Sequence, residues 1–390
     1  MRSKVFFVDA RSRSPQESLL KKMERLLEES GVLDVVDKGD LVAIKIHFGE
    51  PGNYRFIRPQ FVRVVVEKVK EKGGVPFVTD TTGVGYQGAR GDAKRCLEAA
   101  YMHGYTPETL GAPIVVADGM LGFSGVKVRV DGIKLREVEI ASAIADADAL
   151  ISVAHAKGHP RTGLGGALKN LALGCVTKRT KAKIHLTGPP KVDLSKCDGC
   201  GECVKFCPLG AIDIDPEIGK AVIDESVCAW GCGCWSACPR KAISGWFKLH
   251  FPSNTEVSVR VADAAKAVID YLGKDKVSFV NVVMDVTPHC DCFGYGDLPI
   301  VPDIGILASM DPVAIDKASI DLINQAPGIP GSAAEEIGVM EPGKDKLSAL
   351  VNYGPFKRFL KAGPPDWKSM LEAAVKLGLG SIDYELVKLG

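Results

Sequence analysis

"ALISVAHAKGHPRTGLGGALKNLALGC", residues 149–175, carries the reading that decides the fold. Its first seven residues form a nearly continuous apolar run, without the alternation of a strand that keeps one face in water. They read as a strand buried on both faces. Three glycines then lead into a helical stretch. Strand followed directly by helix is the unit from which parallel sheets are built. The same unit recurs along the chain. Strand-like runs occur at "KVFFVDA" (4–10), "LVAIKIHF" (41–48), "VPFVTD" (75–80) and "PIVVAD" (113–118), with helical patterns at about 16–29, 59–72, 92–103 and 137–145. Beyond residue 250 the pattern resumes with a helix near 256–272, strands at 276–286 and 304–310, and a helix at 312–324. The expected fold is α/β, a mostly parallel sheet covered by helices.

Between these halves lies a small α+β ferredoxin-like insert. "CDGCGECVKFCP" (197–208) follows the CxxCxxCxxxCP run of bacterial iron–sulfur proteins. "CAWGCGCWSACP" (228–239) repeats it at an offset of 31 residues, aligning Cys197 with Cys228, Cys203 with Cys234, Cys207 with Cys238 and Pro208 with Pro239. One ligand is displaced: Cys200 aligns with Gly231, and the thiol stands one residue later at Cys232. One tight glycine-bearing loop can supply three thiolates to a [4Fe–4S] cube, while the cysteine before proline serves the other cube. The expected ligand sets are Cys197, Cys200, Cys203 and Cys238 for one cluster, and Cys207, Cys228, Cys232 and Cys234 for the second. Tetrahedral zinc is the competing reading of Cys₄ sets, although zinc knuckles rarely interleave in this way.

Apolar residues make up 46% of the chain and charged residues 25%, with a net charge of +1. That balance argues against a nucleic-acid surface. The N-terminal apolar run is too short for a signal peptide, and no run of about 20 apolar residues exists for a membrane span. A cytoplasmic protein is expected, in which the twelve cysteines serve as metal ligands or reactive thiols.

Several stretches resemble the DUF362 family of iron–sulfur proteins: "KIHFGEPGNYRFIRP" (45–59), "VTDTTGVGYQGAR" (78–90), "HAKGHPRTGLGGALKNLALGC" (155–175), the two cysteine motifs, and "TPHCDCFGYGDLPIVPDIGILASMDPVAID" (287–316). The resemblance spans about residues 1–330 and departs from the motif at Cys232. It implies a discontinuous α/β domain (1–190 and 249–355) interrupted by a two-cluster module (191–248). A helical tail is expected at 356–390.

Open α/β sheets bind ligands at the C-terminal ends of their strands. Lys45 and His47, Asp80, and His155 with His159 stand at such ends, and Lys169 lies in the first turns of the glycine-led helix, where an anion is favoured. "GVGYQG" (83–88) lacks the following helix and acidic residue of a dinucleotide fingerprint. His289, Cys290 and Cys292 in "HCDC" form a candidate extra metal site or redox-active thiol pair, against a packed turn with inert thiols. Three functions fit: an oxidoreductase whose two [4Fe–4S] clusters pass electrons to or from a small anionic substrate at the sheet edge, a non-enzymatic carrier docking on a redox partner, or a sulfur- or cluster-handling factor using Cys290 and Cys292.

Overall fold

Eight strands form one sheet in the computed structural model, which describes residues 2–85, 88–244, 251–356 and 362–389. Their order across the sheet is Tyr384–Lys388, Ser3–Asp9, Gly305–Ser309, Val277–Val283, Ala149–His155, Leu41–Lys45, Val75–Asp80 and Ile114–Val116. Gly305–Ser309 runs antiparallel to both neighbours, and the other pairs are parallel. Every residue of Ala149–His155 and Val277–Val283 is buried, as continuous apolar runs demand. Leu150 packs with the helices Ala167–Gly174, Asn254–Leu272 and Pro312–Gln325, whereas Ile151 and Val153 pack with Leu19–Glu29 and Pro59–Glu71 on the opposite face.

From Leu41–Lys45 the chain proceeds to Val75–Asp80 and Ile114–Val116 on one side. From Ala149–His155 it proceeds to Val277–Val283 on the other. The adjacent strands ending at Lys45 and His155 therefore flank the topological switch point, where an open α/β sheet leaves a crevice.

The helix Ala167–Gly174 stands over this crevice and is fixed there by a carboxylate from a distant helix. Asp316 is fully buried and accepts hydrogen bonds from the backbone N–H groups of Ala167 (2.7 Å) and Leu168 (3.0 Å) and from Asn281 (2.9 Å). It thus satisfies two of the donors that every helix start leaves open. Gly166 makes the approach possible, because a Cβ there would lie 2.2 Å from Asp316 Oδ1.

The cysteine-rich segment contains the short helices Glu202–Phe206 and Cys234–Ala237 and an antiparallel hairpin, Ile212–Asp215 with Lys220–Ile223. Its neck is pinched: Val192 bridges Ile243, Lys191 N–H donates to Ser244 Oγ (2.7 Å), and Ser244 N–H donates to the Lys191 carbonyl (2.9 Å). The expected boundary at 248–249 lies outside the described residues.

Two expectations are corrected. The helix expected at 137–145 is helical only over Ser142–Ala145. Glu137–Ala141 is a strand paired with Gly125–Arg129, buried from Val138 onward. The tail expected to be helical contains Trp367–Lys376 but closes with Tyr384–Lys388, which joins the main sheet beside Ser3–Asp9 and packs Tyr384 and Leu386 on the core. Residues 357–361 and 390 of that tail lie outside the described residues.

Gly166→Ala is expected to destabilise the protein by about 1–3 kcal/mol through overpacking against Asp316, as a shift in the denaturant unfolding midpoint would register.

Candidate redox site

The eight motif cysteines line two small cavities. Cys197, Cys200, Cys203 and Cys238 line one; Cys207, Cys228, Cys232 and Cys234 line the other. Each cysteine that precedes a proline has crossed to the other motif's set. Backbone N–H groups point at the sulfurs at equivalent places, Ala211 to Cys207 Sγ and Ala242 to Cys238 Sγ, both at 3.3 Å. Ala221 N–H reaches Cys197 Sγ at 3.4 Å, and Trp230 N–H reaches Cys228 Sγ at 3.3 Å. Such donors stabilise negative charge on sulfur and tune a cluster's potential.

The repeat extends to the backbone. Gly199 (φ +72°) and Gly210 (φ +62°) have as their partners 31 residues on Trp230 (φ +65°) and Lys241 (φ +51°), so the second copy holds two non-glycine residues in the left-handed region. The register slips only at the helix start. Gly201 begins the first helix and Gly233 the second, each immediately preceded by a cysteine of its set, Cys200 or Cys232. Relative to the helix, Cys232 occupies the same place as Cys200. The extra loop residue is Gly231, and it lies where the module meets the α/β domain: a Cβ there would fall 2.7 Å from Val84 Cγ1 and 3.3 Å from Ala182 Cβ. A cysteine at 231 has no room, which gives the shifted spacing a steric cause. Cys200 is exposed whereas Cys232 is buried.

Ala182 belongs to the basic helix Lys178–His185, which joins this inner cysteine set to the sheet edge. Arg179 donates to the Val227 carbonyl (2.9 Å), beside Cys228. Lys178 bonds the carbonyls of Gly91 and Leu121, and Lys181 bonds Thr81 Oγ1 (2.6 Å) and the Thr82 carbonyl just past the end of Val75–Asp80. Burial pushes the Cys232 and Cys234 thiols up to about 12. They become thiolates only when a cation takes the place of their protons.

At the edge itself, Lys45 and Asp80 are a buried ion pair at 3.1 Å. Lys45 also donates to Asn170 Oδ1 (2.8 Å) of the glycine-led helix, and Arg90 reaches Asp80 (3.6 Å) and Glu50 (2.8 Å). Burial alone would raise the Asp80 pKa, but Lys45, His47, Arg90 and Lys181 outweigh it and hold the carboxylate well below its usual range. Burial, and then Arg90, keep His47 neutral; its Nδ1 accepts from Gly49 N–H (2.8 Å). Lys169 and His185 stay partly accessible. Among the described residues Lys169 has no hydrogen-bond or ion-pair partner. Burial, with Lys45 nearby, lowers it to about 8; burial and the cations Arg161 and Lys169 push His185 down to about 3.

His155 is not presented to a ligand. Its ring nitrogens face Asp291 Oδ2 (3.0 Å) and the Met284 carbonyl (2.7 Å). Asp291 also pairs with Lys157 at 2.6 Å and anchors the loop between Cys290 and Cys292. The histidine expected beside those cysteines is corrected: His289 packs against the rings of Phe293, Tyr295, Tyr353 and Phe356. His159 takes its place, with a ring nitrogen and the two sulfurs all within 4.8 Å of one another. Arg90, Lys181 and His185 escaped the sequence reading. The signal for two of them was "TKRTKAKIH" (177–185), a basic run directly after the glycine-led helix.

Crossed cysteine sets with N–H groups aimed at their sulfurs, built on an α/β sheet, have the donor set of iron–sulfur ligation. The chain matches the family described as a domain of unknown function, DUF362, over residues 42–321, and belongs to that family. It is 31% identical over 175 residues to the thylakoid-associated protein sll1697 of Synechocystis, covering 43% of this chain and 50% of that one, so it spans about half the length of this relative. It is 41% identical over 68 residues to pyruvate synthase subunit PorD of Methanothermobacter marburgensis (17% of this chain, 76% of the relative). With adenylylsulfate reductase subunit beta of Megalodesulfovibrio gigas the identity is 44% over 62 residues, 14% of this chain and 37% of the relative. No helix among the described residues is long and apolar enough to cross a membrane.

Gly231→Val would drive a side chain into Val84 and Ala182. It is expected to lower iron retention in the inner set while sparing the outer one, as iron analysis with electron paramagnetic resonance would register.

Proposed function

We propose that the protein carries electrons through two [4Fe–4S] clusters, from a redox partner that docks near the exposed Cys200 to a small anionic acceptor at the sheet edge. The observation that carries this reading is the seat of the inner cysteine set on the basic helix Lys178–His185, whose next turn bonds the end of Val75–Asp80. Cys197, Cys200, Cys203 and Cys238 hold the outer cube. Cys207, Cys228, Cys232 and Cys234 hold the inner one. Each cube supplies one-electron chemistry. The chain's own residues keep the inner set dry, hold positive charge beside it through Lys178 and Arg179, and gather cations at the crevice. There the unpaired Lys169, with Lys45 and Arg90 behind it, attracts the acceptor's negative charge, and His47 and His185 offer neutral imidazoles. Lys45, His47, Asp80, Lys169 and His159 are thus the residues of the acceptor site, with His155 as a support through Asp291. A docking partner is supported by the names of two relatives, each a subunit of a larger enzyme.

Anaerobically purified protein is expected to contain about eight iron and eight acid-labile sulfide per chain. Cys207→Ala should damage the inner cluster and Cys238→Ala the outer one. Stoichiometric zinc with almost no iron, or a Cys207→Ala variant altered only in the outer cluster, would sink the reading. Lys169 is charged below about pH 8 and neutral above it. Sulfate, as a probe anion that does not itself titrate here, should therefore bind best below pH 8 and weaken by roughly tenfold per unit above it. Calorimetry on Lys169→Gln should find weaker binding and no such slope.

A further inference from the structure

Cys290 and Cys292 follow the strand Val277–Val283 and are joined by a disulfide. Cys290 lies against Gly165, ahead of the helix that carries Lys169, and the loop belongs to the same edge as the proposed acceptor site. A bridge spanning one intervening residue restrains the unfolded chain very little. The loop does not need it either: Asp291 is clamped by Lys157, His155 and Asn53 (3.3 Å), and its carbonyl accepts from Glu50 N–H at 2.8 Å. A structural role for the disulfide is thereby weak, and its cleavage would leave the loop in place.

The third member of the cluster decides between a metal site and a redox pair. His159 Nδ1 accepts from the backbone N–H groups of Arg161 (3.2 Å) and Thr162 (3.0 Å), and it also meets Thr162 Oγ1 at 2.9 Å. Two backbone donors aimed at one nitrogen require its lone pair. The ring proton is therefore on Nε2, and the imidazole stands with a ring nitrogen within 4.8 Å of both sulfurs. A metal ligand at Nε2 needs the opposite tautomer, with Nδ1–H donating to a carbonyl or carboxylate. An Nε2–H group instead donates to sulfur and stabilises a developing thiolate.

We infer that Cys290 and Cys292 are a redox-active pair, the two-electron terminus of the cluster chain, with His159 as the donor that stabilises their reduced form. This rests on the two-cluster reading above. In the step, the S–S bond breaks and two electrons enter; clusters held by the two cysteine sets would supply them, one electron each. Two protons from solvent complete two S–H groups. The pair thereby converts one-electron carriers into a two-electron donor at the acceptor site.

The test uses anaerobic holoprotein, alkylated before and after reduction with dithionite, with the peptide containing both cysteines read by mass spectrometry. The expected result is an unmodified disulfide before reduction and two alkylated cysteines after it. Cys232→Ser should block this reduction by dithionite yet leave the pair reducible by dithiothreitol. His159→Phe should shift the pair's equilibrium with a dithiol buffer roughly tenfold toward the disulfide. Three results would overturn the inference: equal alkylation of both cysteines in the oxidised and reduced samples, a stoichiometric non-iron metal lost in Cys290→Ser, or reduction by dithiothreitol but not through intact clusters. Iron and sulfide analysis of the same samples reports separately on the cluster reading, and the dithiothreitol titration reports on the pair whatever that analysis finds.

Discussion

The buried pair of Lys45 and Asp80 ties together everything that reaches the sheet edge. Removing one partner of such a pair leaves an uncompensated charge in the interior, at a cost of about 3–5 kcal/mol. Here the pair is also the junction of three neighbours. Asn170 links it to the glycine-led helix, whose Gly174 leaves space for the lysine stem: a Cβ there would stand 1.9 Å from Lys45 Cε. Arg90 links it to the loop that carries Val84, against which the module rests. Phe48 N–H, donating to Asp80 at 3.1 Å, fixes the chain as it leaves the strand.

This arrangement explains why the cationic crevice and the cysteine module are parts of one design. The side chains of the basic helix divide between the two: Lys178 and Arg179 toward the inner cysteines, Lys181 toward the strand ends. Their opposed effects are visible on single groups. Burial raises the Cys232 thiol, while Lys178 and Arg179 pull it back. The cluster proposed there is shielded from water by the same contact that supplies its positive neighbours.

Much of this was legible in the sequence. The strand ends at Lys45, Asp80 and His155 follow from apolar runs that stop at polar residues, and the crossed cysteine sets follow from the repeat. What was hidden has identifiable causes. "KRTKAKIH" has no apolar stripe and reads as a solvated basic run, yet the fold buries Lys178 and Lys181 by giving their ammonium groups carbonyl and hydroxyl partners. His289 seemed the natural companion of Cys290 because it is adjacent in sequence, whereas the residue that meets the cysteines is His159, delivered by a different strand. The slip at Cys232 was visible as a spacing, but its cause is Gly231 pressed against two residues far away in the chain. Glu137–Ala141 was misread because a short alternation of valine and isoleucine with glutamate also satisfies a helical pattern over so few residues.

The pinched neck at Val192 and Ile243 has a consequence for how the chain is made. Ala149–His155 must pair with Val277–Val283, and the whole module lies between them. Closing a loop grows more costly in entropy with its length, by about 0.6 kcal/mol for each doubling. A module that has already folded brings its two ends side by side and removes its own length from that loop. Its small core is lined by the cysteines themselves. Supply of iron and sulfide during synthesis would then act on the host sheet as well, hastening the meeting of strands that the chain's linear order keeps apart.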